Sequence, residues 1–238
     1  MSVTPELGRI FLTGDTHRCF GRIEELCRRE HTTRKDVLVI LGDAGINYYG
    51  PARDQALKWE LDALPITLLC IHGNHEQRPS PELGYEQKLW RGGAVWVEEP
   101  FRNLLFAVDG AVYDLAGRSC LAVGGAYSVD KDYRLALGLG WWPDEQPDDA
   151  VKTRVEGVLE DRDWQVDVVF SHTCPICYEP TEVFLPSIDQ RSVDKSTEMW
   201  LGSLEYRLRY QSWYCGHYHT SKTVDRLHFL FEEVIPFP

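Results

Sequence analysis

The chain has 238 residues but no long apolar run and no even set of cysteines, and each absence excludes a class of protein. A membrane helix needs about 18 consecutive apolar residues; nothing here approaches that, so no membrane partner is expected. The stretch from Met1 to Gly8 has no basic region followed by an apolar one, the pattern of a secretory leader. The cysteines number seven and are scattered, which fits a reducing compartment better than a disulfide framework, so a cytoplasmic protein is expected. Cys174 and Cys177 form a Cys-x-x-Cys without the second pair that a four-cysteine zinc site requires, and the pair reads as structural. Basic residues are scarce too. The chain has 25 Lys and Arg against 37 Asp and Glu, a formal charge of −12, which argues against a surface that grips nucleic acid strongly. A local cationic site remains open, because bound divalent metals would be the largest positive charges in the molecule. No repeat, low-complexity tract or linker interrupts the sequence, and the length suits one domain over residues 1–238 with a core of its own.

Three short apolar runs share one ending. Arg9 to Thr13 reads as a buried strand leading into Gly14-Asp15-Thr16-His17. Val37 to Leu41 leads into Gly42-Asp43, and Ile66 to Ile71 leads towards Gly73-Asn74-His75-Glu76. Between the first two runs, Ile23, Leu26 and Cys27 fall at helical spacing. Between the next two, Asp54 is placed to cap a helix running to Asp62 with Ala56, Leu57 and Leu61 inward. The alternation predicts parallel crossover units.

The middle of the chain changes to short strand-like runs. Ala94 to Val97, Asn103 to Val108, Ala111 to Leu115 and Ser119 to Val123 read as a meander, with Asp109-Gly110 as a hairpin turn. Gly124 to Pro147 reads as a long ordered loop, with Trp141 and Trp142 as its aromatic anchor or, alternatively, as a stacking platform for a nucleobase. Helices are predicted over Ala150 to Glu160 and over Ser196 to Tyr210, the second through Met199, Trp200, Leu204 and Leu208. Val166 to Phe170 and Ser212 to Cys215 are further strands, ending in Ser171-His172 and in Gly216-His217-Tyr218-His219. Strands near Lys222 to Val224 and Leu227 to Glu232 complete the pattern. The expected fold class is α/β, with two sheets packed face to face and flanked by helices.

Open α/β sheets place ligands at the carboxyl ends of their strands. The residues found there are Asp15, His17, Asp43, Asn74, His172, His217 and His219. Carboxylate oxygens and imidazole nitrogens converging on one point make a mixed oxygen and nitrogen metal site. The set is too large for one ion and suits two that share a bridging carboxylate, for which Asp43 is the natural choice. Ions held about 3.5–4 Å apart clamp a phosphoryl group and activate a water. Asn74 contributes a neutral oxygen, which leaves the site under-neutralised for a phosphate anion. His31, His72 and His228 fall outside the set and read as structural.

The five blocks, in this order and over nearly the whole chain, resemble the calcineurin-like metallophosphoesterase family. The resemblance implies a four-layer sandwich with a dinuclear centre at its rim and an activity of phosphomono- or phosphodiester hydrolysis by a hydroxide bridging the metals. It implies one metal on Asp15, His17, Asp43 and His219, and a second on Asp43, Asn74, His172 and His217. His75 matches the family histidine that protonates the leaving oxygen or stabilises its charge. Two divalent ions are the implied cofactors, manganese first, with iron, zinc or nickel as alternatives for an imidazole-rich site. The protein serine/threonine phosphatase branch continues its second block with an Arg and an Asp that Gly42-Asp43-Ala44-Gly45-Ile46-Asn47 lacks. That departure favours nucleotides or other small phosphoesters over phosphoproteins as partners. Lys131, Arg134 or Arg78 is the candidate replacement for the phosphate clamp, with Tyr127 as a further substrate contact. A protein phosphatase and a catalytically silent metal-binding scaffold are the alternative readings. The oligomeric state is not legible.

Overall fold

Strands buried on both faces read as continuous apolar runs, and that is the pattern at the centre of this molecule. The computed structural model describes residues 7–238; most of the stretch read as lacking a leader lies outside the described residues. One sheet contains β1 (Ile10–Thr13), β2 (Val37–Ile40), β3 (Thr67–Cys70), β4 (Tyr85–Trp90), β5 (Gly93–Glu98), β6 (Leu104–Ala107) and, at its far edge, β13 (Val234–Pro236). Its seven strands run in the order β13-β1-β2-β3-β6-β5-β4. The strands β1, β2, β3 and β6 are parallel, and β13, β5 and β4 join antiparallel. The second sheet contains β7 (Val112–Leu115), β8 (Arg118–Val123), β9 (Val168–Ser171), β10 (Ser212–Cys215), β11 (Lys222–Val224) and β12 (Leu227–Phe229). Its six strands run β11-β12-β10-β9-β8-β7, with β8, β9, β10 and β12 parallel.

The period-two alternation of each central strand divides its side chains between two cores. Leu12, Val39, Leu69 and Ile71 meet Ala122, Val168, Phe170 and Tyr214 between the sheets. Phe11, Leu38, Ile40 and Leu68 face outward under α1 (Gly21–Glu30) and α2 (Pro51–Asp62), where Ile23, Leu26 and Leu61 cover them. Leu121, Val169 and Trp213 face the other way, under α4 (Asp149–Glu160) and α5 (Ser196–Arg207). The result is the expected helix–sheet–sheet–helix sandwich.

Several local expectations are corrected. The residues Asp109-Gly110 join no hairpin. They carry the chain from β6 in one sheet to β7 in the other, so the predicted meander is split between the sheets. Asp54 is no N-cap: α2 begins after Gly50 without a side-chain cap. The Asp54 carboxylate is buried, accepting from the backbone N–H groups of Tyr49 and Gly50 and pairing with Arg18 at 2.7 Å. Ala56 and Met199 are exposed, and the apolar faces of their helices are carried instead by Leu61 and by Trp200, Leu201 and Leu204. The strands β4 and β13 lie at sheet edges, where a polar alternation is tolerated and the apolar signal is weak. The long loop is ordered and contains a short helix, α3 (Lys131–Ala136). Its Trp141 donates to Glu145 at 2.8 Å and Trp142 packs edge-on against Tyr48. All seven cysteines, Cys174 and Cys177 included, are free, and among the described residues no helix is long and apolar enough to cross a membrane.

Candidate metal centre

Five strand ends deliver the candidate ligands to one rim of the sandwich. Asp15 and His17 follow β1, Asp43 follows β2, Asn74 follows β3, His172 follows β9, and His217 and His219 follow β10. The loops turn sharply. His17, Asp43, His217 and His219 all have positive φ, at 43°, 49°, 67° and 49°, a conformation that costs non-glycine residues free energy and clusters at functional sites. Two glycines are required by close approach. A Cβ on Gly42 would lie 2.0 Å from His172 Nδ1, and one on Gly73 would lie 2.0 Å from Asp43 Oδ1. Glycine therefore precedes the ligands at those strand ends because the loops touch.

The convergence is tight. His17 Nε2 lies 2.9 Å from His219 Nε2, and Asp15 Oδ2 lies 3.7 Å from the first and 3.2 Å from the second. On the other side Asn74 Oδ1 lies 2.8 Å from His172 Nε2 and 3.1 Å from His217 Nδ1. Asp43 faces both groups, with Oδ1 3.5 Å from His172 Nε2 and Oδ2 3.9 Å from His17 Nε2. Asp15, His17 and His219, and separately Asp15, Asp43 and His172, bring one ligand atom each to within 4.8 Å of the others.

These donors fit a cation. Asp15 Oδ2 is buried without a hydrogen-bond partner, although two imidazole nitrogens face it. An orphaned buried carboxylate oxygen is costly unless a positive charge meets it. His172 Nδ1 lies 2.8 Å from the Leu41 carbonyl and carries its proton there in the neutral ring, which leaves Nε2 free to coordinate. Burial pushes Asp15 and Asp43 up, yet the neighbouring imidazoles of His219 and His172 hold both below the usual carboxylate range. Burial keeps His217 far below the usual histidine range, and so neutral.

Behind the ligands stands a buried polar layer that single motifs do not reveal. Asn74 Nδ2 donates to Ser128 Oγ at 2.9 Å, which turns Oδ1 towards the histidines. The Ser128 hydroxyl donates to Glu145 at 2.5 Å. Arg134, 1% exposed, donates from Nη1 to Ser128 Oγ at 2.9 Å and to the Asn74 carbonyl at 3.3 Å. Glu76 ties two ligand loops together by accepting from the N–H groups of Gly45 and Gly73. Arg22 donates to the carbonyls of Gly14 and Asp15.

The ligands open into a cavity of about 540 Å³, which His75 and Tyr127 also line. The His75 backbone N–H donates to Asp43 Oδ1 at 2.8 Å, and its Nε2 lies 3.9 Å from Asp130 Oδ1, a buried oxygen with no hydrogen-bond partner. Of the other expected substrate contacts, Lys131 places its ammonium over the Trp141 ring. Arg134 lies behind Asn74, and Arg78 is committed to Asp109 at 2.5 Å. None of these three is among the cavity's described lining residues, which include no Lys or Arg. The far wall is apolar, made by Val129, Val183, Phe184, Leu185, Ile188 and Val193.

Glu198 also lines this cavity and is 4% exposed, with Oε1 accepting from Thr173 at 2.7 Å and Oε2 unpartnered. Burial pushes its carboxyl up to about 7. A raised folded-state value stabilises the fold fully below the unfolded value near 4.5, and that contribution is lost as pH rises through about 7. Glu198→Gln removes the ionisation and keeps the acceptor. Chemical denaturation should show the variant and wild type alike at pH 4.5 and the variant more stable at pH 8, by about 3 kcal/mol at most. Parallel pH profiles would refute this assignment.

Residues 8–221 match the family model described as calcineurin-like phosphoesterase. Comparison with curated proteins finds no match.

Proposed function

The chain belongs to the calcineurin-like phosphoesterase family, and from that premise we propose a dinuclear, metal-dependent hydrolase of small phosphoesters whose alcohol part is apolar. The observation that carries the proposal is the meeting of Asp15, His17, Asp43, Asn74, His172, His217 and His219 around an unsatisfied carboxylate oxygen. In this reading Asp15, His17, Asp43 and His219 hold one ion, and Asp43, Asn74, His172 and His217 hold the other. When bound, such a pair neutralises phosphoryl charge and makes a water nucleophilic near neutral pH. Manganese is the first candidate, with iron, zinc or nickel next.

The remaining work falls to the chain. Strained, glycine-backed loops fix the ligands before substrate arrives, so little reorganisation is needed during reaction. Arg134, Ser128 and Glu145 position Asn74. His75 passes a ring proton to the leaving oxygen; burial holds its proton affinity below the usual histidine range, against the carboxylates of Asp43 and Asp130, which raise it. The apolar wall takes the alcohol part of the ester and excludes water. The phosphate meets no Lys or Arg among the described lining residues, which makes its binding dependent on the metals. We further read the chain as one domain, because residues from β1 to the strands after α5 share the core between the sheets. Its free cysteines suit a cytoplasmic setting.

The test is a panel assay with manganese on an aryl phosphate, a bis-aryl phosphodiester, nucleotides and a phosphoserine peptide. Burial of an apolar group should favour aryl or nucleoside esters over the peptide by about tenfold or more in kcat/KM. Preference for the phosphopeptide would overturn the substrate class, and no turnover of any ester would favour a silent scaffold.

A further inference from the structure

A second cavity, of about 670 Å³, shares no lining residue with the cavity at the metal centre, and two of its lining residues, His72 and Arg78, carry buried polar atoms without a partner. His72 is 5% exposed, and both of its ring nitrogens are buried without a hydrogen-bond partner. Arg78 Nη2 is likewise buried and unpartnered. Native proteins satisfy nearly all such groups, so three on one cavity call for an explanation.

The chemistry of the lining defines what would satisfy them. Its positive groups are Arg78, Arg154 and Arg162, and Asp109 is the only carboxylate among the described lining residues. Both Asp109 oxygens are already engaged, Oδ1 by the Gly124 N–H at 2.6 Å and Oδ2 by Arg78 Nη1 at 2.5 Å. The cavity is therefore donor-rich and positive, in a chain with a net charge of −12. Trp96, Val112, Val151 and Val158 supply an apolar wall. A bare inorganic ion would leave that wall wet, and an uncharged apolar molecule would leave the donors unmet.

We propose that this cavity binds a small organic anion, a phosphate or carboxylate on an apolar body, with His72 and Arg78 donating to the charged head and Arg154 and Arg162 at the mouth. Occupancy bears on the metal centre through the backbone. His72 directly precedes Gly73-Asn74-His75, and its carbonyl accepts from the Gly125 N–H at 2.8 Å, so the ligand sits at the root of the loop that carries Asn74.

The experiment is isothermal titration of the full chain in EDTA, which removes metal-dependent binding from the readout, with phenyl phosphate, benzoate and inorganic phosphate as probes. The expected result is saturable binding of phenyl phosphate or benzoate, about tenfold tighter than inorganic phosphate. The double variant Arg154→Glu/Arg162→Glu alters exposed side chains and should weaken that binding about tenfold while leaving phosphoester hydrolysis with manganese unchanged. His72→Leu should weaken it by a similar factor. Absence of saturable binding by either organic anion overturns the proposal, as does unchanged affinity in the double variant. Unchanged affinity in His72→Leu overturns the role of His72. Phenyl phosphate bound tightly in EDTA by the wild type and double variant alike would place the anion at another site.

Discussion

Asp43→Asn is expected to lower kcat/KM by about 10³-fold or more on any phosphoester the protein hydrolyses, a loss of about 4 kcal/mol of transition-state stabilisation. Asp43 faces both ligand groups, and it is 1% exposed. An amide in its place keeps the size and can still accept from the His75 N–H, but it offers one weakly coordinating oxygen where two charged ones stood. Folding should survive. The amide gives up the attraction of His172 and the other imidazoles that hold Asp43 below the usual carboxylate range, and offsets part of it by relieving repulsion from Asp15, so the metal-free variant should melt somewhat lower and still fold. Steady-state kinetics with a thermal melt of the EDTA-treated protein checks both halves. A variant that kept a tenth of wild-type activity would remove Asp43 from the bridging position.

The second large effect is selective. His75→Ala should cost about 10²–10⁴-fold on esters of ordinary alcohols, the range typical of a lost general acid. On p-nitrophenyl esters, whose leaving group departs without a proton, the loss should shrink to about tenfold. Comparing the two ester classes separates proton delivery from simple damage to the site, because misplacing Asp43 through its hydrogen bond to the His75 N–H would slow both classes equally.

The parts of this site that were legible in the sequence share a physical reason. A ligand at a strand end must follow an apolar run and, where loops touch, a glycine. Gly42-Asp43 and Gly73-Asn74 therefore announce themselves locally, and the family resemblance assembles them. The layer behind them gives no local sign. Ser128 and Arg134 reach Asn74 across 54 and 60 residues of sequence, through a loop whose path depends on the finished fold. As a cation in that loop Arg134 is one of three candidates for a phosphate clamp on sequence grounds; in the fold it is buried and its guanidinium faces the Asn74 carbonyl and Ser128. The crossing at Asp109-Gly110 is invisible for a similar reason: a turn between two strands has the same composition whether the strands pair or part. His72 reads as structural in the sequence because no pattern distinguishes a satisfied buried histidine from one with both nitrogens unmet.

The central claim is a pair of cations sharing Asp43, and anomalous diffraction from crystals grown with manganese tests it most directly. Two anomalous peaks are expected about 3.5–4 Å apart, one beside Asp15, His17 and His219, the other beside Asn74, His172 and His217, with Asp43 between them. A single peak, or a pair that leaves Asp43 uncoordinated, would contradict it.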